Sequence, residues 1–448
     1  MSLPGLAGYG SFQAATEEQS YTLKPSQEYR FEASQNAPVN VTLLSGSAEI
    51  FGTELTIGPT YTFTSTKAAV FTWQGCEITV KGPAGAGYLA EETPMATYVN
   101  AHFGLEKQRG LSKERGEQGP RVMIVGPENA GKTSLVKLLT SYAVRQGRKP
   151  VVVGLDTKES ILSIPGAMTA AQFTSILDVT SGWGTSPTSG PGHIPAKVPL
   201  TYYYGYDNIE ENPKMYKTVL SRLALAISSK MADDEAARTS GCIIDTAGLI
   251  SQSTGYEIIA HAITEFSVSV LVVLGSERLY SDMVRRFDGR RGLSVVRMPK
   301  SGGVVDKDES FISACKARAV REYFYGNSGQ VLSPFSSVVG FDNIHVYRVA
   351  SSDASISASV LPIGHEAGDT KVQVLRVEPS LILQNSVLAV SVVDSDEDAS
   401  AIVESAVLGF VFVSDVDMVT KKITVLSPVA GRLPAKAFVM GSLKWMDA

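Results

Sequence analysis

The segment that most constrains this chain is residues 121–134, where a short apolar run leads into the pattern Gly-x-x-x-x-Gly-Lys-Thr. Gly126 and Gly131 let the backbone turn tightly and aim its N–H groups at phosphate oxygens. Lys132 can reach the β- and γ-phosphates of a nucleotide, and the Thr133 hydroxyl can coordinate Mg²⁺. The following helix would present its positive N-terminus to the same anion. The segment therefore predicts a phosphate-binding loop.

The surroundings of this pattern favour the prediction over a plain glycine-rich turn with an exposed lysine. Residues 122–125 read as a buried strand, and Gly147 suits a helix stop. Between loop and stop, apolar side chains recur at helical spacing: Leu135, Leu138, Leu139 and Tyr142. The order strand, loop, helix is the context in which this pattern binds phosphate.

Size and composition limit the class of protein. A chain of 448 residues is too long for one ordinary core, so two or three domains are expected. Hydrophobic residues make up 44% and charged residues 19%, which is typical of a globular protein. The net charge of −5 means that any contact with nucleic acid has to come from a local patch.

Cysteine usage and the lack of targeting signals favour a reducing compartment, either cytosol or nucleus. Cys76, Cys242 and Cys315 show neither metal spacing nor a disulfide framework. No apolar run reaches the length of a membrane span, and the N-terminus lacks the features of a signal peptide.

The chain is expected to form three domains, at residues 1–105, 106–328 and 329–448. The first reads as short alternating strands with frequent turns, which predicts a small β-sandwich. The second alternates strands with helices, which predicts a parallel α/β sheet of the P-loop NTPase type. The third returns to mostly β patterns without a catalytic motif. A helix over 98–115 is expected to pass into a charged linker over 106–119.

Two aspartates follow apolar strands of the central domain. Asp156 ends the run 149–156, and Asp245 opens the turn Asp-Thr-x-Gly after the run 241–245. Carboxylates at the carboxyl ends of parallel strands can hold Mg²⁺, and Asp156 could accept a proton from an attacking hydroxyl. Alternatively, Asp156 caps the next turn and Asp245 belongs to an ordinary strand-end turn.

Basic residues recur near the end of the central domain. Lys316, Arg318 and Arg321 lie on one helical pattern, where they could form a lid over phosphates. A solvated helix face is the more common use of such spacing. No Asn-Lys-x-Asp tetrad for guanine occurs, which favours ATP over GTP.

Taken together, the chain resembles the polynucleotide 5′-hydroxyl kinase family. Within it, the chain is most similar to the ATP-binding subunits of pre-mRNA cleavage and polyadenylation factors, known in fungi as cleavage factor IA. The resemblance extends over essentially the whole chain. It rests on the phosphate loop and on these segments: 48–55, 69–76, 163–166, 299–305 and 321–326.

The resemblance implies a β-sandwich, a central ATP-binding domain and a small C-terminal domain. It implies that Glu28 and Lys67 contact the nucleotide from the first domain. It also carries over the phosphate loop itself, which comprises Asn129, Ala130, Gly131, Lys132, Thr133 and Ser134. A scaffold subunit that also binds the RNA polymerase II tail would dock on the central and C-terminal domains, alongside other 3′-end processing factors, in the nucleus.

The chain departs from RNA-phosphorylating members of the family on the substrate side. The x-Gly-Gln that follows their aspartate is replaced here by residues 157–159, and Glu159 would repel a phosphate backbone. A substrate-stacking Trp is replaced by Leu249, a loss of about 1–3 kcal/mol per base. The first basic lid residue is Lys316, which lacks the bidentate fork of an arginine.

These features favour an ATP-bound, non-catalytic subunit in mRNA 3′-end formation. The alternative is an active RNA 5′-hydroxyl kinase, in which Asp156 activates the hydroxyl and Lys132, Lys316 and Arg321 stabilise charge. In that kinase Thr133, Asp245 and Asp156 would hold Mg²⁺. A third possibility is a switch ATPase that turns over ATP without RNA.

Overall fold

The computed structural model describes residues 16–83, 85–180, 183, 199–248, 253–327, 330–349 and 374–446. The chain divides into two compact units, with the boundary between Thr93 and Pro94. No helix within the described ranges is long and apolar enough to cross a membrane. Cys76, Cys242 and Cys315 are free thiols.

The first unit is a pair of antiparallel sheets. One sheet has the order β1-β8-β3-β6 and the other the order β5-β4-β7-β2-β9. The strands are β1 (Thr16–Leu23), β2 (Gln27–Ala33), β3 (Val39–Gly46), β4 (Glu49–Ile50), β5 (Thr53–Glu54), β6 (Thr60–Phe63), β7 (Thr66–Thr72), β8 (Cys76–Pro83) and β9 (Gly87–Ala90). Val39, Val41 and Leu43 of β3 are fully buried because alternate side chains of a strand face the core. The predicted β-sandwich is confirmed.

The second unit begins with a sheet flanked by helices. Its elements are α1 (Met95–Arg115), β10 (Arg121–Val125), α2 (Lys132–Arg145), β11 (Val151–Gly154), β12 (Ala167–Gln172), β13 (Leu200–Tyr203), α3 (Pro213–Asp233), α4 (Glu235–Ser240), β14 (Cys242–Asp245), α5 (Ser253–Glu265), β15 (Val270–Leu274), α6 (Glu277–Arg286), β16 (Ser294–Met298) and α7 (Glu309–Tyr325). The strand order is β13-β12-β11-β14-β10-β15-β16.

Five neighbouring strands of this sheet, in the order β11-β14-β10-β15-β16, run parallel. Strands β12 and β13 extend the sheet beyond β11 in antiparallel fashion. Every residue of β10, β14 and β15 is buried, as the apolar runs predict for strands covered on both faces. The predicted parallel α/β domain is confirmed. The antiparallel pair β12 and β13 is an addition that the alternating pattern did not indicate.

The predicted charged linker over 106–119 is wrong up to Arg115, because helix α1 continues through that residue. Arg109 is fully buried, and its Nε donates to the Ser240 carbonyl at 3.0 Å. Glu106 accepts from the Nε of Arg148 at 2.7 Å. Glu106 and Arg109 therefore serve contacts within the second unit, and the part of the stretch up to Arg115 is helix rather than linker.

The last part of the second unit is a mostly antiparallel sheet of order β19-β24-β23-β22-β25-β20-β21, preceded by the hairpin β17-β18. Its elements are β17 (Gly326–Asn327), β18 (Gln330–Val331), β19 (Phe335–Gly340), β20 (His345–Val349), β21 (Val374–Val377), β22 (Ser386–Asp394), α8 (Ala399–Glu404), β23 (Val407–Asp417), β24 (Lys422–Ser427) and β25 (Lys436–Lys444). Short 3-10 helices lie at Ile209–Glu211, Phe341–Asn343 and Leu381–Leu383.

Helix α7 joins the two sheets of this unit. Its buried residues Val320, Tyr323 and Phe324 belong to the same apolar cluster as Phe410 and Phe412 of β23. The Tyr323 hydroxyl accepts the backbone N–H of Phe410 at 2.9 Å. The helix that carries Lys316, Arg318 and Arg321 is thus part of a hydrophobic core on its other face.

Candidate nucleotide-binding site

The loop between β10 and α2 has the geometry that a phosphate loop needs. A side chain at Gly126 would place its Cβ 2.6 Å from the Leu274 carbonyl oxygen, so only glycine fits. Gly131 has a φ of +88° and Asn129 a φ of +52°, both in the left-handed region that glycine and asparagine tolerate best. The loop therefore turns as the sequence pattern predicts and leads directly into the first turn of α2.

Lys132, Thr133 and Asp245 come together at the start of α2. The Thr133 hydroxyl donates to Oδ2 of Asp245 at 2.6 Å, and the Lys132 ammonium donates to the Pro127 carbonyl at 2.8 Å. Asp245 is placed there because β14 lies beside β10 and ends at this residue. Burial lowers the pKa of Lys132, while the charges of Asp245 and Asp156 oppose that effect.

The Asp245 carboxylate has capacity left for a ligand. Its Oδ1 is buried and, among the described residues, accepts no hydrogen bond. Burial raises the pKa of this carboxyl group to about 6 despite the hydrogen bond from Thr133. A buried carboxylate oxygen without a partner is costly unless a cation or a donor satisfies it, so the donor set of Thr133 and Asp245 fits a hard cation such as Mg²⁺.

Asp156 follows β11 at the same end of the sheet. Its Oδ1 accepts the backbone N–H groups of Lys158 at 2.9 Å and Glu159 at 3.2 Å, so it caps the turn as the alternative interpretation predicts. Burial raises the pKa of Asp156, and the charge of Lys132 acts in the opposite direction. Capping and proximity to Lys132 therefore coexist at this residue.

The three basic residues for which a lid or a solvated helix face was considered lie on α7 and contact groups of this chain. Lys316 forms an ion pair with Asp207. Arg318 pairs with Glu322 at 3.6 Å, and the Arg321 guanidinium lies 5.6 Å from the centre of the Tyr325 ring. Lys316 is directed to a carboxylate on the loop after β13, a partner that helical spacing could not indicate.

The remaining predicted residues lie elsewhere. Glu28 and Lys67 belong to the first unit. There Glu28 accepts from Arg30 at 2.6 Å and from the Thr93 hydroxyl at 2.8 Å, and Lys67 pairs with Glu32 at 2.9 Å. Leu249, the position of the missing stacking surface, lies outside the described residues.

Sequence reasoning missed a turn that covers the phosphate loop. A Cβ on Gly131 would come within 2.9 Å of Val304 Cγ2. Val304 is held in its turn by a backbone hydrogen bond to Ser301 at 3.1 Å. The hydroxyl of Tyr98 on α1 donates to the Pro299 carbonyl at 2.8 Å, where this segment leaves β16. The only signal for it was the resemblance over 299–305.

The parts of this site fit a nucleotide with its metal ion. No group of three or more His, Cys, Asp or Glu residues gathers to hold a metal by itself in the parts of the chain that the structure describes. Mg²⁺ in nucleotide sites is bound by one or two carboxylates together with substrate phosphates, which suits Thr133 and Asp245. Fold and site together define a P-loop nucleotide-binding protein.

Comparison with protein-family models narrows this class. Residues 126–326 match the model described as "mRNA cleavage and polyadenylation factor CLP1 P-loop". Residues 22–112 match the "N-terminal beta-sandwich domain of polyadenylation factor", and residues 332–447 match "Pre-mRNA cleavage complex II protein Clp1". The chain belongs to the CLP1 family of mRNA cleavage and polyadenylation factors.

Curated relatives and solved structures agree with this assignment. The chain is 45% identical to an mRNA cleavage and polyadenylation factor of Botryotinia fuckeliana, over 100% of this chain and 99% of the relative. A relative from Phaeosphaeria nodorum is 42% identical over 99% and 98% of the two chains. Similar solved structures include the complex of wild-type Clp1p with Pcf11p, at a TM-score of 0.86 and 28% identity, covering 96% of this chain and 99% of that one.

A second similar structure, with a TM-score of 0.85 and 28% identity, covers the same 96% and 99% of the two chains. It is described as an extended interface between Pcf11p and Clp1p and the structural basis for ATP loss in a glycine-to-arginine point mutant. The resemblance inferred from the sequence is thus confirmed at the level of the family.

Proposed function

We propose that this chain is an ATP-retaining, non-catalytic subunit of the nuclear complex that cleaves and polyadenylates pre-mRNA. It would hold ATP as a structural ligand and present a surface to a scaffold subunit. The main support for the proposal is the arrangement of residues that could bind Mg²⁺ and phosphate. The Thr133 hydroxyl is hydrogen-bonded to the buried Asp245, and Lys132 lies close enough for the charge of Asp245 to influence it.

The nucleotide would be held chiefly by the loop Asn129, Ala130, Gly131, Lys132, Thr133 and Ser134. Thr133 and Asp245 would hold Mg²⁺, with Asp156 contributing through water. A bound cation would offset the burial that raises the pKa of Asp245. The resemblance adds Glu28 and Lys67 as nucleotide contacts from the first domain. We propose that the three domains comprise residues 1–105, 106–328 and 329–448.

The partner is proposed from the similar structures, in which Clp1p is bound to Pcf11p. This chain would bind the corresponding scaffold subunit, the one that also binds the polymerase II tail. A ligand that binds only the native state stabilises that state by mass action. Bound ATP would therefore fix the surface that the scaffold recognises.

An active RNA 5′-hydroxyl kinase is the second candidate. It is favoured by Asp156, which lies close enough to Lys132 for their charges to influence each other. Asp156 would then accept the proton of the RNA hydroxyl. The ion pair between Lys316 and Asp207 argues against it, because that lysine would be needed at the transferring phosphoryl group.

The two candidates are separated by incubating purified protein with 5′-hydroxyl RNA and γ-labelled ATP. The structural role predicts intact ATP recovered from the protein after days and no labelled RNA. Label transfer that is lost in Asp156→Ala would establish the kinase.

The structural role of ATP is tested with Lys132→Ala. Loss of the ammonium removes a contact to the phosphates, so we expect ATP content and affinity for the scaffold to fall together. The measurements are nucleotide release by chromatography and scaffold binding by calorimetry. Unchanged scaffold affinity in nucleotide-free protein would refute the structural role.

A further inference from the structure

Ion pairs surround the loop that carries Asp156. Each joins a lysine to a carboxylate on a different segment of the second unit, near Asp156, the residue that would act on an RNA hydroxyl in the kinase alternative. The pairs are Lys316 with Asp207, Lys307 with Glu159, and Lys158 with Glu128 at 3.3 Å. We call the first two the rim pairs.

The Asp207 member of the rim pairs is fixed beside Asp156. Its backbone carbonyl accepts the Thr157 hydroxyl at 3.1 Å, so the loop after β13 lies against the residue that follows Asp156. The Lys316 side chain pairs with Asp207 from α7, and both side chains are partly buried. The pair therefore connects α7 to the loop that lies against Thr157, next to Asp156.

The carboxylate of Glu159, in the second rim pair, lies nearer to Asp156 and Lys132. The Glu159 backbone N–H donates to Asp156. Its negative charge adds to the burial that raises the pKa of Asp156, and it opposes the burial that lowers the pKa of Lys132. Lys307, in the segment just before α7, forms its ion pair with this carboxylate. Glu159 therefore faces the site and at the same time neutralises a lysine that would face an incoming strand.

These pairings matter because single-stranded nucleic acid binds through cations that replace counterions on its phosphates. A lysine matched by a carboxylate of its own chain contributes no net charge to such a groove. The intramolecular carboxylate also competes at high effective concentration with phosphates from solution. The rim pairs would thus weaken RNA binding without touching the ATP contacts of Lys132 and Thr133.

We propose that Asp207 and Glu159 are specificity-determining residues, which exclude the phosphate backbone of RNA by neutralising Lys316 and Lys307. This inference rests on the proposed function, in which ATP is held but not used to phosphorylate RNA. The Glu159 carboxylate would act by pairing with Lys307 as well as by repelling phosphate.

The test measures binding of a fluorescent 5′-hydroxyl RNA oligonucleotide to the ATP-loaded protein over a salt series. In the variant Asp207→Asn with Glu159→Gln, both lysines become available for phosphates. Each added phosphate contact steepens the dependence of log affinity on log salt by about 0.7 for single strands. We expect the slope to steepen by about 1.4, which corresponds to about sevenfold between 200 mM and 50 mM salt.

Matched controls isolate the rim pairs from overall charge. Asp394→Asn removes one carboxylate from an ion pair with Lys436 at 2.7 Å in the C-terminal sheet. It matches the charge change of the single variant Asp207→Asn, and we expect it to leave the slope unchanged. Exchanging one pair, Asp207→Lys with Lys316→Asp, keeps the rim neutral and should bind RNA as the wild type does. Asp207→Asn alone should steepen the slope by about half as much. This single variant replaces the double variant in the test if the double variant folds poorly.

A double variant whose salt slope equals that of Asp394→Asn, with normal ATP content, would overturn the inference. Failure of the proposed function has a different signature, namely wild-type protein that lacks ATP or labels RNA ends. Gain of RNA affinity that survives a further Lys316→Gln and Lys307→Gln change would also overturn it, since those lysines are the proposed source of the gain.

Discussion

At the scale of single residues, Gly131 shows how strongly the phosphate loop restricts its sequence. Its left-handed φ costs a side chain about 1–2 kcal/mol, and a Cβ there would also press on Val304 at 2.9 Å. Backbone strain and steric contact are thus combined at the residue immediately before Lys132. The two effects can be separated, because Gly147, just beyond the other end of α2, has a left-handed φ without the steric contact.

We expect Gly131→Ala to reduce ATP affinity about tenfold and to lower the free energy of unfolding by about 1–2 kcal/mol. The matched control is Gly147→Ala, whose φ is +73° and whose Cβ would meet nothing within 4 Å. It should lower stability by about the same amount and leave ATP affinity unchanged. Equal ATP affinities in the two variants, measured by calorimetry, would contradict this account of Gly131.

At the scale of elements, the turn after β16 depends on a helix distant in sequence. Tyr98 on α1 anchors Pro299, and the same segment places Val304 over the phosphate loop. Helix α1 directly follows the boundary between the two units. The turn that contacts the phosphate loop is therefore positioned by α1, the first helix of the second unit.

Tyr98→Phe removes this hydrogen bond and keeps the ring. We expect ATP to dissociate about five to ten times faster, since a lost buried hydrogen bond costs about 1–1.5 kcal/mol. Tyr347→Phe is the control, because its hydroxyl donates to the Ser395 carbonyl at 2.7 Å and both tyrosines are 8% exposed. Identical ATP release from the two variants, followed with a fluorescent analogue, would contradict the role of Tyr98.

The extent to which sequence determined these elements follows from the range of the contacts involved. The strand β10, its loop and α2 are local patterns, and they were predicted within a few residues. The burial of Arg109 depends on Ser240, and the position of Lys316 depends on Asp207, so spacing along one segment could not reveal either contact. The strand pairing of the third domain could not be predicted for the same reason, because β19, β20 and β25 pair with strands that are distant in sequence.

At the scale of the whole molecule, the central and C-terminal sheets of the second unit meet at two glycines. The Ser442 N–H donates to the Gly205 carbonyl at 2.7 Å, and a Cβ on Gly441 would lie 2.3 Å from that carbonyl oxygen. The contact lies next to the loop that carries Asp207. The C-terminal sheet thus supports the rim of the nucleotide site through direct backbone contact.

We expect Gly441→Ala to lower the free energy of unfolding by about 1–3 kcal/mol, because neither backbone can move away easily. Gly104→Ala is the control, since that glycine lies within α1 with nothing within 4 Å of its Cβ. It should raise stability by up to about 1 kcal/mol through helix propensity. Urea unfolding measures both, and a neutral Gly441→Ala would show that the two sheets are not closely fitted at this point.

The burial of one face of α7 against β23 has a kinetic consequence. In kinases whose lids swing, nucleotide enters and leaves at every cycle. In this protein α7 is held in place, because Tyr323 and Phe324 would have to leave an apolar core before the helix could rotate outward. We therefore expect ATP, once bound, to exchange slowly, so that its presence marks a correctly folded molecule rather than the momentary ATP concentration of the cell.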